Sequence, residues 1–177
     1  MQTVFLSFLI LLFSNIALGA SPHETIQNRD EITLSESRMI GDVTVHFYLR
    51  NESDLESLYL TLTNSFAILP QYLRNTNRCK NLELSIYEIS RSTLNDRSTM
   101  SFLNWRSWNN KDIFGTYDSI RSEPGSASIF LTRDRGLTTM RDTLVHEVAH
   151  YWQDTRCIPV VEPVAYGFEE YYKATFD

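Results

Sequence analysis

The chain has 177 residues, of which 42% are hydrophobic and 21% are charged, and its formal net charge is −6. These values are typical of a globular protein with one sizeable core, and no internal repeat or low-complexity tract is present. The acidic balance and the lack of a basic cluster argue against a nucleic-acid partner.

The N-terminal segment has the features of an export signal. Residues 4–13 are almost all apolar, but this run is too short to span a bilayer. Ala17 and Gly19 then place small side chains where a signal peptidase requires them. We predict a signal peptide over residues 1–19 and a secreted or periplasmic mature protein without stable membrane insertion. Because the first three residues include no Lys or Arg, an uncleaved membrane anchor is the alternative.

The next part of the chain predicts a leader, a strand and a helix. Residues 20–38 are polar, and we expect a mobile leader in front of a domain that spans residues 39–177. Apolar and polar residues alternate from 43 to 49, which predicts a half-buried strand. Ser53–Glu56 has the pattern of a capping box, and apolar residues follow it at helical spacing until Pro70. That proline is expected to end or kink the helix.

Two further strands and two helices are predicted in the second half. Alternation at residues 82–86 predicts a second strand, and residues 126–132 predict a third. Residues 91–122 have no clear period and are expected to form a long loop or irregular insertion. A helix is expected to end near Asp154 and a last helix near Lys173. This order of strands and helices predicts an α+β fold.

The chain has two cysteines, Cys79 and Cys157. In an oxidising compartment an even number of cysteines predicts a disulfide bond. This bond would tie the loop after the first long helix to the loop after the helix that ends near Asp154. The alternatives are two free thiols, or a Cys157 thiolate that binds a metal ion.

The sequence His146-Glu147-Val148-Ala149-His150 is the strongest functional signal. Two histidines four residues apart lie about one turn apart on one face of a helix. That spacing allows both imidazoles to bind one Zn²⁺, with Glu147 beside the metal as a general base. The residues around the motif are uncharged, so the helix is expected to be buried. Buried His and Glu side chains are costly without a partner such as a metal ion.

A catalytic zinc ion normally has three protein ligands and one water. Asp154 lies on the same helix face as the histidines, but the row from His146 to Asp154 is about 12 Å long, which is too far for one ion. The last helix returns across a short loop, so we expect it to provide the third ligand.

Together with a Glu-bearing helix soon after it, the motif resembles the gluzincin branch of the zincin metallopeptidases. The resemblance covers only the C-terminal end of the chain. The sequence Glu162-Pro163-Val164-Ala165-Tyr166 is similar to the E-x-x-A-(D/Y) pattern of some small members, and it implies Glu162 as the third zinc ligand. Glu169, which has the spacing of larger members, remains an alternative, as do Glu170 and Cys157. No histidine follows the motif, so the three-histidine metzincin pattern is absent.

The resemblance implies a small zincin-like domain with a mixed or antiparallel sheet packed on the HExxH helix and flanking helices. It also implies a zinc-dependent peptidase that acts on peptides or proteins, with Glu147 as general base. Tyr166 is the candidate that stabilises the oxyanion, and the competing tyrosines are Tyr151, Tyr171 and Tyr172. By analogy, the strand over residues 127–132 would lie beside the substrate.

Two other functions remain open at this stage. One is a zincin-fold domain without peptidase activity that acts as a binding module. The other is a globular domain without metal in which the motif occurs by chance. The intact Glu147 argues against the binding module, because a purely structural zinc site has no need of a base.

Overall fold

The computed structural model describes residues 22–74, 77–96, 114–119 and 125–176, so the predicted signal peptide lies outside the described residues. Within them the chain forms five α-helices: α1 (Pro22–Asp30), α2 (Leu55–Leu73), α3 (Arg91–Leu94), α4 (Leu137–Thr155) and α5 (Glu162–Phe176). It also forms five strands: β1 (Leu34–Ile40), β2 (Val43–Tyr48), β3 (Glu83–Glu88), β4 (Gly115–Asp118) and β5 (Ser126–Leu131). Among these residues no helix combines the length and the apolar character that a membrane span requires.

The five strands form one mixed sheet in the order β1-β2-β3-β5-β4. The three central strands β2, β3 and β5 are parallel to one another, and the outer strands β1 and β4 are antiparallel to their neighbours. Helices α2, α4 and α5 contribute the buried residues that pack against one face of the sheet. The predicted α+β class with a mixed sheet is therefore confirmed.

A second, smaller core lies apart from the main one. It consists of Ile26, Ile32, Tyr87, Ile89, Leu94 and Phe130, all at most 4% exposed. The rings of Tyr87 and Phe130 stack with their centroids 5.1 Å apart. The side chains that β3 and β5 contribute to this cluster are not part of the main core. Both strands are therefore buried on both faces. Only β2 keeps the predicted alternation of buried and half-buried residues.

The predicted mobile leader over residues 20–38 is wrong for the part that the structure describes. Residues 22–30 form α1, whose Ile26 is fully buried in the smaller core. Strand β1 begins at Leu34 and pairs along β2. Its side chains are exposed or half-buried except for Ile40, which is buried. The polar composition of β1 therefore agrees with its shallow burial.

The helix after residue 53 begins differently from the prediction, and it continues past Pro70. Asn51, rather than Ser53, caps the first turn, because its side chain accepts a hydrogen bond from the Ser53 amide at 3.2 Å. The N-cap of α2 is Asp54, which makes no side-chain capping bond, so the capping box is not formed. Pro70 lies inside α2, which continues to Leu73.

The segment over residues 91–122 is more regular than predicted. It contains α3 and β4, and its residues 97–113 and 120–122 lie outside the described residues. Strand β4 pairs antiparallel with β5, whose other side pairs with β3. Both edges of β5 are therefore occupied, and the expectation that residues 127–132 lie beside a substrate stays a prediction. Within the described ranges, β4 is the outer strand next to α4.

Cys79 and Cys157 form the predicted disulfide bond, with their Cα atoms 6.0 Å apart. Cys157 is therefore not available as a metal ligand. The Cys79 amide also donates to the Thr155 carbonyl at 2.8 Å, so the loop before β3 is fixed to the end of α4 by covalent and hydrogen bonds.

Replacing both cysteines by serine should lower the free energy of unfolding by up to about 4 kcal/mol, because the bond closes a loop across 78 residues. Urea unfolding of the oxidised protein and of the Cys79→Ser/Cys157→Ser variant measures this difference. Equal unfolding midpoints with equal slopes would contradict the stabilising role of the bond.

Candidate metal centre

Helix α4 presents the motif from a buried position. It packs against β4, β5, α2 and α5. His146, Glu147 and His150 are only 9%, 7% and 5% exposed. The expectation that the motif lies in a buried helix is therefore confirmed, and ionisable groups at this depth require partners.

The return from α4 to α5 brings Glu162 to the two histidines. Cys157 has the left-handed φ of +54°, which turns the chain at the end of α4. The Ile158 amide then donates to the Gln153 carbonyl at 2.9 Å, and α5 begins at Glu162. Because the connection is this short, the first residue of α5 lies beside the middle of α4.

His146, His150 and Glu162 form a group that could hold a metal ion, with their ligand atoms within 4.8 Å of one another. Nε2 of His146 lies 3.1 Å from one carboxylate oxygen of Glu162, and Nε2 of His150 lies 3.6 Å from the other. Both imidazoles thus direct the same nitrogen toward one carboxylate. The Glu162 side chain is 66% exposed, so the group is open to solvent on that side.

The other nitrogen of each imidazole also has a partner. Nδ1 of His150 lies 3.2 Å from Oε1 of Gln153, whose Nε2 donates to the Pro159 carbonyl at 2.9 Å. Nδ1 of His146 lies 3.7 Å from the Glu169 carboxylate. An acceptor at Nδ1 keeps a proton there and leaves Nε2 free to bind a metal. Glu169 is therefore placed to orient the candidate ligand His146 through Nδ1, and it is not itself a member of the group.

Gln153 is a candidate site residue that the sequence analysis missed. It is fully buried, and its amide links His150 to the turn after α4. The signal in the sequence is an uncharged polar residue three positions after the second histidine, among aromatic neighbours in a helix expected to be buried. A polar side chain at such a position needs a hydrogen-bond partner.

Burial and neighbouring charges shift the pKa values of the two histidines in opposite directions. Burial and the neighbouring His146 lower the pKa of His150, so this imidazole is neutral at neutral pH. Burial opposes protonation of His146, but three neighbouring carboxylates, with Glu169 foremost, outweigh it and raise its pKa. His146 and then Lys173 lower the pKa of Glu169, which remains ionised. A divalent cation at the group would compete with a proton for Nε2 of His146.

Glu147 belongs to the motif but not to the group of candidate ligands. Burial raises the pKa of its carboxyl to about 7. The backbone amide of Tyr117 in β4 favours the ionised carboxylate and so partly opposes that effect. A carboxyl that titrates near neutral pH is suited to accept and return a proton.

Of the four tyrosines nominated from the sequence, Tyr166 contacts the motif. Its ring lies across the His146 ring, with the centroids 4.6 Å apart, and its side chain is 59% exposed. Tyr151 donates its hydroxyl to the Leu82 carbonyl, and Tyr172 is buried in the main core. Tyr166 therefore lies at the exposed rim of the group.

Glu169→Gln should lower zinc affinity by about 10–100-fold, the usual loss when an acceptor behind a histidine ligand is weakened. Competition with a chromophoric chelator measures the affinity. Glu170→Gln is the matched control, because this neighbour on the same helix is exposed and should leave the affinity unchanged. Equal affinities for both variants would contradict the orienting role of Glu169.

Comparison of the chain with protein-family models, with curated proteins and with solved structures found no match in any of the three. A function for the chain is therefore inferred from the geometry of His146, His150 and Glu162 and from the chemistry of the residues around them.

Proposed function

We propose that the protein is a zinc-dependent metallopeptidase that hydrolyses peptide bonds in a peptide or protein substrate. The observation that carries this proposal is the convergence of His146, His150 and Glu162, with Glu147 buried next to them. Two imidazoles and one carboxylate are a donor set typical of catalytic zinc, which keeps a fourth position for water. The exposed side of Glu162 agrees with an open fourth position.

Zinc bound at this group would lower the pKa of a water molecule and polarise the scissile carbonyl. Glu147 would accept the proton of the attacking water and deliver it to the leaving amine. Its pKa of about 7 allows the same carboxyl to take up and release a proton near neutral pH. Gln153 and Glu169 would hold the imidazoles in the orientation that binds the ion.

Tyr166 is our candidate for stabilising the negative charge on the carbonyl oxygen during attack. Two observations support this role: the Tyr166 ring packs against the His146 ring, and the residue is exposed at the rim of the group. A hydroxyl that donates to the developing oxyanion lowers the barrier only if it reaches that oxygen in the transition state. Tyr166→Phe removes this donor alone.

We also propose that the mature protein is secreted or periplasmic. The support is the signal-like segment over residues 1–19 together with the disulfide bond, which is compatible with an oxidising compartment. A binding module without activity is the competing function, and the buried Glu147 next to the ligand group argues against it.

Metal analysis and a hydrolysis assay on the same preparation test the proposed function. We expect one zinc ion per chain and cleavage of a labelled, unfolded protein. A strong chelator should stop the cleavage, and added zinc should restore it. Absence of stoichiometric zinc after reconstitution would refute the metal site. Bound zinc without cleavage would refute the peptidase and favour the binding module.

A further inference from the structure

Strand β4 runs along α4 in register with the motif. Gly115 lies against Thr143, and the Tyr117 amide is near enough to the Glu147 carboxylate to favour its ionised form. Two residues of an extended strand cover about 6.7 Å, and four residues of a helix cover about 6 Å. Because these lengths are nearly equal, contact at the first pair aligns the second.

Glycine at position 115 permits this close approach. A Cβ atom there would lie 2.3 Å from Cγ2 of Thr143, and 3.1 Å from both the Phe130 carbonyl oxygen and the Leu131 side chain. The Thr143 side chain is short and branched, and its hydroxyl is bonded to the Thr139 carbonyl at 2.8 Å, so it cannot move aside freely. Any larger residue would therefore push β4 away from α4.

The side chain of Tyr117 fixes the other end of β4. Its hydroxyl donates to one carboxylate oxygen of Asp154 at 2.8 Å, and Lys80 donates to the other at 2.6 Å. Burial opposes ionisation of Asp154, but hydrogen bonds from Lys80, Ser119 and Tyr117 outweigh it and lower its pKa. Hydrogen bonds to an ionised carboxylate are among the stronger ones in proteins.

We propose that Tyr117 is a positioning residue for Glu147. Its hydroxyl fixes β4 to Asp154, and its amide thereby stays within hydrogen-bonding reach of the carboxylate that would act as base. Asp154, which lies too far along α4 to bind the metal ion, thus acts on the site through β4. This inference rests on the proposed peptidase function for its catalytic part, while the contact between Tyr117 and Glu147 can be measured without activity.

Tyr117→Phe tests the proposal, because it removes the hydroxyl and keeps the ring. We expect the amide at position 117 to exchange with deuterium about tenfold faster. We also expect kcat to fall by up to about 100-fold, while KM and zinc content stay unchanged. Tyr151→Phe is the matched control: it removes another buried hydroxyl bond on the site helix, 2.7 Å to Leu82, without releasing β4.

A second pair of variants tests the same contact from the other end of β4. Gly115→Ala should speed exchange at the Tyr117 amide and lower kcat, and adding Thr143→Ser should reverse part of both effects by removing Cγ2. Unchanged exchange in both Tyr117→Phe and Gly115→Ala would overturn the proposal. Faster exchange with unchanged kcat would also overturn it. Faster exchange in a protein whose wild type cleaves nothing would support the contact and refute the peptidase.

Discussion

Glu147→Gln is expected to lose nearly all hydrolytic activity while it keeps the fold and the zinc ion. The amide has almost the shape of the carboxyl but cannot accept the proton of the attacking water. General-base catalysis typically contributes about 10²–10⁴-fold, so kcat should fall within that range. Because Glu147 is not a member of the ligand group, zinc content should stay at one per chain.

Single-turnover hydrolysis and metal analysis on the same sample separate the two effects. Glu170→Gln is the matched control, since it makes the same chemical change at an exposed position of α5. If Glu147→Gln cleaves as fast as the wild type, Glu147 is not the base. If the variant loses its zinc, the loss of activity would reflect the ligand group instead of proton transfer.

Glu162→Ala is expected to weaken zinc binding far more than substitution of a residue that only accepts a hydrogen bond from a ligand histidine. Removing the carboxylate leaves two imidazoles, which cannot replace the hydration of the ion. The loss of affinity should therefore exceed the roughly 10–100-fold expected for Glu169→Gln. Chelator competition on Glu162→Ala, Glu169→Ala and the wild type measures the three zinc affinities and so gives their order.

The order of these affinities also tests the assignment of the third ligand. Nε2 of His146 lies 3.1 Å from Glu162, while Glu169 lies at the opposite nitrogen of the same ring. If Glu169→Ala removes the metal and Glu162→Ala keeps it, the ligand must be reassigned to Glu169. The proposed reaction would remain, because Glu147 and both histidines would be unaffected.

The candidate ligand group was predictable from the sequence because its spacing is local. His146 and His150 are one helical turn apart, and the short return after α4 left few positions for a third ligand. Glu162 was accordingly the preferred candidate, and it lies in the group. Gln153 was not predicted, because an uncharged polar residue among aromatic neighbours indicates only that its amide needs a partner, and the partners His150 and Pro159 are known from the fold alone.

The outer strands were missed for a different physical reason. Hydrophobic alternation marks a strand such as β2, which has one buried face. Strand β1 buries only Ile40, and the four residues of β4 are too few for a period to be recognised. The Ser53–Glu56 pattern failed in turn because Asn51 caps a preceding 3₁₀ turn. The edge strands therefore depended on tertiary contacts that the local sequence does not encode, whereas the cap was a choice between two neighbouring local patterns.

Strand β1 has a practical consequence for producing the protein. A chain trimmed to residues 39–177 would lack most of β1, and the hydrogen-bonding edge of β2 would be exposed. This edge belongs to a strand with buried Val43, Val45 and Phe47, and such an edge can pair with another molecule. The trimmed chain should form insoluble assemblies during expression, whereas a chain that starts near residue 20 keeps this protective strand.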